Sequence, residues 1–149
     1  MRTRILITII LSLSIPSVVL SEAPVSASKP PMEPKPLIMP WKFYLNLAQC
    51  ETNFRWHKSS LNYTSGYGIA KGTWRRWSET SKADRYTPRE QAIVVDRIAF
   101  RGHTRKSGEF VYPVGPYGWA VIKYQNCMGL QQMICKSKHP LVQRWKRNC

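Results

Sequence analysis

Apolar and polar residues recur at helical spacing from Trp41 to Glu51. With 100° between successive residues, Lys42, Asn46 and Gln49 fall in one narrow polar stripe. Trp41, Tyr44, Leu45, Leu47 and Ala48 cover the opposite side, and Phe43 and Cys50 flank it. The spacing predicts a helix that is apolar over most of its girth, the pattern of a buried helix. Glu51 falls near Tyr44 and almost opposite Lys42, so a helix that reaches it turns it inward or into a cleft. A helix that stops sooner leaves it in a loop. A second helix starts at Thr87-Pro88-Arg89-Glu90, a capping box with proline at the first helical position. Ala92, Val95, Ile98 and Ala99 then repeat at helical spacing, and Gly102 is the expected stop. Glu90 is thereby assigned to capping rather than chemistry. Ser65-Gly66-Tyr67-Gly68 marks a turn, and a small hairpin is expected around Tyr63 to Ile69. A short segment from Thr73 to Thr80 carries Trp74 and Trp77, and a last helix covers Trp119 to Tyr124. The fold class read from these elements is α+β, mainly α.

The ends of the chain have a different character. Arg2 and Arg4 precede an apolar run from Ile5 to Leu20 that is broken by Ser12, Ser14, Pro16 and Ser17. Val25-Ser26-Ala27 supplies small residues for cleavage, with Val19-Leu20-Ser21 as a second candidate. Residues 1–27 thus have the layout of a secretory signal peptide. The alternative is an uncleaved anchor, but Pro16 and the serines argue against a stable span. No transmembrane span is expected after cleavage. Residues 28–40 are proline-rich and read as an extended linker. The domain proper is placed at 41–127. Residues 128–149 form a basic tail with Lys136, Lys138, Arg144, Lys146 and Arg147, and no acid.

Export implies an oxidising compartment. Four cysteines, Cys50, Cys127, Cys135 and Cys149, lie beyond the leader. They allow three pairings, and the residues alone do not choose among them. His57, His103 and His139 are scattered and no Cys-x-x-Cys spacing occurs, so neither a metal site nor a cofactor is expected. A formal net charge of +15 over 149 residues calls for an anionic partner or surface. Export makes wall polymers or lipid better candidates than nucleic acid, and no nucleic-acid partner is expected.

A carboxyl group shielded from water keeps its proton to higher pH, which is what a general acid needs near neutrality. Glu51 is the candidate. Glycoside cleavage usually takes a second carboxylate. The possibilities are Glu79, Asp84, Asp96 and Glu109, and none has a context that marks it out. Asp96, within the second helix, reads best as an ion-pair partner. Trp56, Tyr67, Trp74 and Trp77 follow Glu51 closely, and they are expected to divide between core and cleft.

The runs CETNFRWH (50–57), GYGIAKGTW (66–74) and TPREQAIVVDRIAFRG (87–102), then Gly118-Trp119 and Cys127, occur in an order that resembles the catalytic domain of resuscitation-promoting factors. These are secreted, transglycosylase-like bacterial proteins with a small lysozyme-like fold that cleave peptidoglycan glycan strands. The resemblance covers about residues 41–127. It implies a lysozyme-like domain with Glu51 as the catalytic acid and Cys50–Cys127 as a disulfide. That bond would close a long loop and fix the helix end that carries Glu51. It leaves Cys135 and Cys149 for each other or for an intermolecular bond. The resemblance also implies Trp56, Tyr67, Gly68, Lys71 and Trp74 as substrate-binding positions. The chain departs from the pattern at Arg55, where Asn is usual, and at Lys71, where Gln is usual. The segment from Gly102 to Gly118 is longer than the corresponding family loop and carries Arg105, Lys106 and Glu109.

The expected function is cleavage of the β-1,4 MurNAc–GlcNAc bond of peptidoglycan by a secreted, wall-associated monomer. With no marked second carboxylate, the sugar's own 6-hydroxyl is the expected nucleophile rather than water. Two rival readings stand beside it. One is a wall-binding or signalling module without turnover. The other is a cationic surface-binding protein whose tail lies on an anionic surface through Met133, Ile134, Leu141, Val142 and Trp145.

Overall fold

A computed structural model of the chain describes residues 36–149 apart from 79, 81, 147 and 148. The expected leader, the linker up to residue 35, Glu79 and Arg147 lie outside the described residues. Helix α1 (Trp41–Thr52) carries its buried face, Phe43, Tyr44, Leu47 and Ala48, into the centre of the core. It runs through Glu51 and ends where Asn53 turns left-handed at φ 53°. The reading that leaves Glu51 in a loop is therefore wrong. The antiparallel hairpin β1 (Tyr63–Thr64) and β2 (Ile69–Ala70) pairs Tyr63 with Ala70 and Thr64 with Ile69. Helix α2 (Lys71–Ser78) follows at once and buries Trp74 and Trp77.

Helix α3 (Pro88–Asp96) begins with the expected capping box, Thr87 and Glu90 each bonding the other's backbone N–H. A five-residue π-helical turn, Arg97–Arg101, continues it to Gly102. Gly102 has φ +79°, and a Cβ there would lie 2.7 Å from the Val111 carbonyl, so glycine is required for both reasons. A second antiparallel hairpin, β3 (His103–Thr104) and β4 (Phe110–Val111), was not expected. Its strands are two residues long, too short for alternation to register. Helix α4 (Ala120–Lys123) lies inside the segment assigned to a helix over 119–124. The result is a small, mainly helical α+β domain with two short sheets and two disulfides, Cys50–Cys127 and Cys135–Cys149. Among the described residues no helix is long and apolar enough to cross a membrane.

The core extends past both expected boundaries. Ile38 and Met39, placed in the linker, are buried. Asp96 accepts the Ile38 N–H at 2.8 Å, accepts the Tyr44 O–H and pairs with Arg101 at 3.3 Å. Its structural role was expected, but it is buried rather than on the helix surface. At the other end, α5 (Leu130–Lys136) and α6 (Pro140–Gln143) send Leu130, Ile134 and Val142 into the same core. Met133, Leu141 and Trp145 pack against it. The apolar residues proposed to lie on an anionic surface therefore face the domain's own interior. This packing also covers part of the α1 polar stripe. Asn46 is buried and donates to the Met128 carbonyl at 3.2 Å. The polar stripe thus holds one residue to which a later segment gives a partner.

Candidate active site

Glu51 sits in the last turn of α1 and faces a cleft of about 370 Å³, a size suited to a small ligand or one sugar of a strand. The β1–β2 hairpin supplies one wall through Tyr63, Gly68, Ile69 and Ala70, and α2 adds Thr73. The rest of the lining comes from Ile98 on the π turn and from Val114, Gly118, Trp119 and Ala120. Burial pushes the Glu51 carboxyl above its ordinary range, and the charge of Lys58 pulls it partly back. The carboxyl is only half shielded, so it keeps contact with the cleft and with any ligand there.

The turn between β1 and β2 is what forms the floor under this acid. Thr52, next to Glu51, donates its hydroxyl to the Gly66 carbonyl at 2.5 Å. Gln91 of α3 is fully buried and accepts the Gly66 N–H at 2.9 Å. Its amide nitrogen donates to the Trp56 carbonyl at 2.9 Å and the Tyr86 carbonyl at 3.0 Å. Trp119 Nε1 donates to the Tyr67 carbonyl at 3.0 Å. Buried groups of this kind are costly to leave unpaired, so they define one turn geometry. That geometry brings Gly68 against Glu51. Gly68 has φ +60°, and a Cβ there would lie 2.9 Å from Glu51 Oε2. The glycine both permits the turn and leaves room for the carboxylate.

Of the positions implied as substrate-binding, Gly68 lines the cleft with Glu51. Tyr67 and Trp74 do not, for both are fully buried. Trp74 packs edge-on against Tyr86, and Tyr67 packs likewise against Trp56. Trp56 is half-buried, with its ring under Gly66, and it too is off the cleft. Lys71 opens α2, its N–H donating to the Asn62 carbonyl at 2.9 Å, and it is not part of the lining. None of Trp56, Tyr67, Trp74 and Trp77 lines the cleft, so the expected division between core and cleft is corrected. Each can bury a large apolar area in a thin core, and each does. The cleft's aromatics are instead Tyr63 and Trp119.

Compared with protein-family models, curated proteins and solved structures, the chain matches none of them. Its chemistry is therefore argued from the site. Among the described residues Glu51 is the sole carboxylate in the cleft lining. Asp96 is committed to Tyr44, Ile38 and Arg101, Glu109 pairs with Arg105 at 2.6 Å, and Glu90 caps α3. Asp84 is exposed in a 3-10 turn away from the lining. Among the described residues there is also no cluster of three His, Cys, Asp or Glu side chains that could hold a metal. What the arrangement offers is one poorly hydrated carboxyl beside apolar and aromatic walls. Such a site can protonate an oxygen and then act as a base. Tyr63, Thr73, Val114 and Ala120 carry no motif of their own, and only chain folding could reveal them as lining residues.

Proposed function

We propose that the protein is a secreted, lysozyme-like enzyme that cleaves the β-1,4 bond between MurNAc and GlcNAc in peptidoglycan. Glu51 is its general acid and base. The observation that carries this reading is the half-shielded Glu51 carboxyl, held over Gly68 in a cleft with Tyr63 and Trp119. The motif order over residues 41–127 supports the same activity. So does the Cys50–Cys127 bond next to Glu51.

In this mechanism Glu51 enters the reaction protonated and gives its proton to the bridging oxygen as the C1–O bond breaks. The carboxylate that remains takes a proton from the sugar's 6-hydroxyl, which closes on C1 to give a 1,6-anhydro end. No water is consumed. A lone carboxylate in the described lining fits this outcome better than a two-carboxylate scheme, with the substrate's acetamido group sharing the positive charge.

Mass spectrometry of digested, purified sacculi tests the proposal. Parent protein is expected to release fragments with anhydro ends, and Glu51→Gln to release none while keeping the parent's circular dichroism. Ordinary reducing ends alone would exclude the intramolecular nucleophile. A Glu51→Gln variant as active as the parent would remove the enzymatic reading.

A further inference from the structure

The segment that leaves the β3–β4 turn alternates between covered and uncovered positions. Val111 and Gly115 are buried and Pro113 is half-buried, whereas Phe110, Tyr112 and Val114 are 45%, 76% and 63% exposed. Alternation of this kind puts residues two apart on one face of an extended chain. The Phe110 and Tyr112 rings agree with it, meeting edge to face with centroids 5.0 Å apart. Three large apolar side chains thus stand in one line on the surface of this segment.

The backbone under this line is held along its length. Phe110 pairs with Thr104 in the second hairpin, and its ring lies over Gly102. Val111 packs into the core. The Val114 N–H donates to the Ile98 carbonyl at 2.8 Å, and Gly115, at φ +95°, packs against the Trp145 ring. Side chains on such a fixed backbone have little order left to gain on binding, which favours binding. Single apolar residues at a surface are ordinary, but a contiguous line of them marks a contact site. One end of the line shows what it contacts. Val114 also lines the Glu51 cleft, together with Ile98 and the half-exposed Tyr63.

We propose that Phe110, Tyr112 and Val114 form a subsite for the sugar rings of a glycan strand beyond the Glu51 cleft. A cleft of about 370 Å³ holds about one sugar, so a strand cut within its length extends past it. A strand that leaves over Val114 meets Tyr112 and then Phe110. The run from 110 to 114 spans up to about 14 Å, more than one sugar ring. The C–H face of a sugar packs on an aromatic ring while its hydroxyls stay in water, and Tyr112 offers both an apolar face and a polar tip. The inference rests on the glycan reading of the Glu51 cleft. It adds that affinity grows with strand length and that Tyr112 sets this growth.

Titration calorimetry tests it on the full chain carrying Glu51→Gln, so that binding is read without turnover. The probes are peptide-free glycan strands of one and four disaccharide units, the long one titrated directly and the short one by displacement. Adding Tyr112→Ala is expected to weaken the long strand about tenfold, the effect of uncovering roughly 50 Å² of apolar face, and to leave the short one within about twofold. Tyr112→Phe keeps the ring and should bind like the Glu51→Gln background. Tyr124→Ala removes a tyrosine that is 73% exposed and outside the cleft lining, and it should change neither strand. An unchanged long strand with Tyr112→Ala, an equal loss on both lengths, or an equal loss with Tyr124→Ala would overturn the subsite. So would a Tyr112→Phe variant as weak as Tyr112→Ala, or a background that binds neither strand. Sedimentation of the parent is expected to show a monomer, and a dimer that Tyr112→Ala dissociates would give the line to a second copy instead. The cleavage assay separates the two readings. A parent that cuts sacculi while Tyr112→Ala leaves the long strand unchanged loses only the subsite, and a length-dependent loss in a protein that cuts nothing keeps the subsite and removes the enzyme.

Discussion

The Cys50–Cys127 bond joins residues 77 apart in sequence, from the end of α1 to the turn before α5. Cys135–Cys149 spans only 14. In the chain-entropy account, the stabilisation grows with the logarithm of the loop closed. It comes to about 4.5 kcal/mol for the long loop and about 3 kcal/mol for the short one. Replacing Cys50 and Cys127 together by serine should therefore cost about 1.5 kcal/mol more than replacing Cys135 and Cys149. Against a total stability of about 5–15 kcal/mol for such a domain, the first loss leaves a marginal fold and the second a workable one. Cys50 also holds the helix turn that carries Glu51. The long-loop variant should accordingly lose sacculus cleavage even at temperatures where its far-UV circular dichroism is intact. Urea denaturation of the parent and both double variants measures the difference, with the slope of each transition checked for two-state behaviour. A short-loop variant as destabilised as the long-loop variant, or more so, would refute the loop-entropy reasoning. It would place the stabilisation in local contacts of the 130–149 segment.

Other perturbations probe the cleft directly. Gly68→Ala puts a Cβ 2.9 Å from Glu51 Oε2 at φ +60°. It should lower the rate of wall cleavage about ten- to a hundredfold by displacing the acid, and unchanged turnover would count against the proposed role of that carboxyl. Lys58→Met removes the charge that lowers the Glu51 pKa, so the alkaline limb of kcat/KM should move to higher pH; a limb that stays put or moves the other way is the contrary result. Glu51→Gln should melt at or above the parent at pH 7, with the gap closing as pH falls toward 4.5. The sign follows because a carboxyl whose folded pKa is raised binds more protons folded than unfolded, so stability declines as pH rises through that window. Thermal melts across pH measure it, and a variant less stable than the parent at pH 7 would contradict a desolvated Glu51. Trp145→Ala removes a half-buried ring that packs on Gly115, beside the cleft residue Val114. It should cost about 2–3 kcal/mol in urea, below the range for a fully buried Trp, and raise KM for wall fragments more than it lowers kcat.

Local rules in the chain determined several parts of this protein by themselves. The apolar girth of α1 dictates burial, because a helix with so little polar surface has no stable exposed state. The Thr87–Glu90 box dictates where α3 starts, because its hydrogen bonds are made within four residues. The same local logic set the Ser65–Gly68 turn between two short strands and put Glu51 on the apolar side of its helix. Tertiary structure decided what those rules leave open. Whether an aromatic ring lines a cleft or fills a core depends on what covers it, and so Tyr63 and Trp119 line the cleft while Tyr67 and Trp74 fill the core. The basic segment after Cys127 looked separate because its charges dominate its composition. Its apolar residues Leu130, Ile134 and Val142 are nonetheless buried, against α1 and the π turn. Gln91 gives no sign in the sequence of its place under the turn, since two of its partners, backbone groups of residues 56 and 66, are far from it along the chain. Short-range interactions are written in neighbouring residues, whereas burial is a property of surfaces that meet only after the chain has folded.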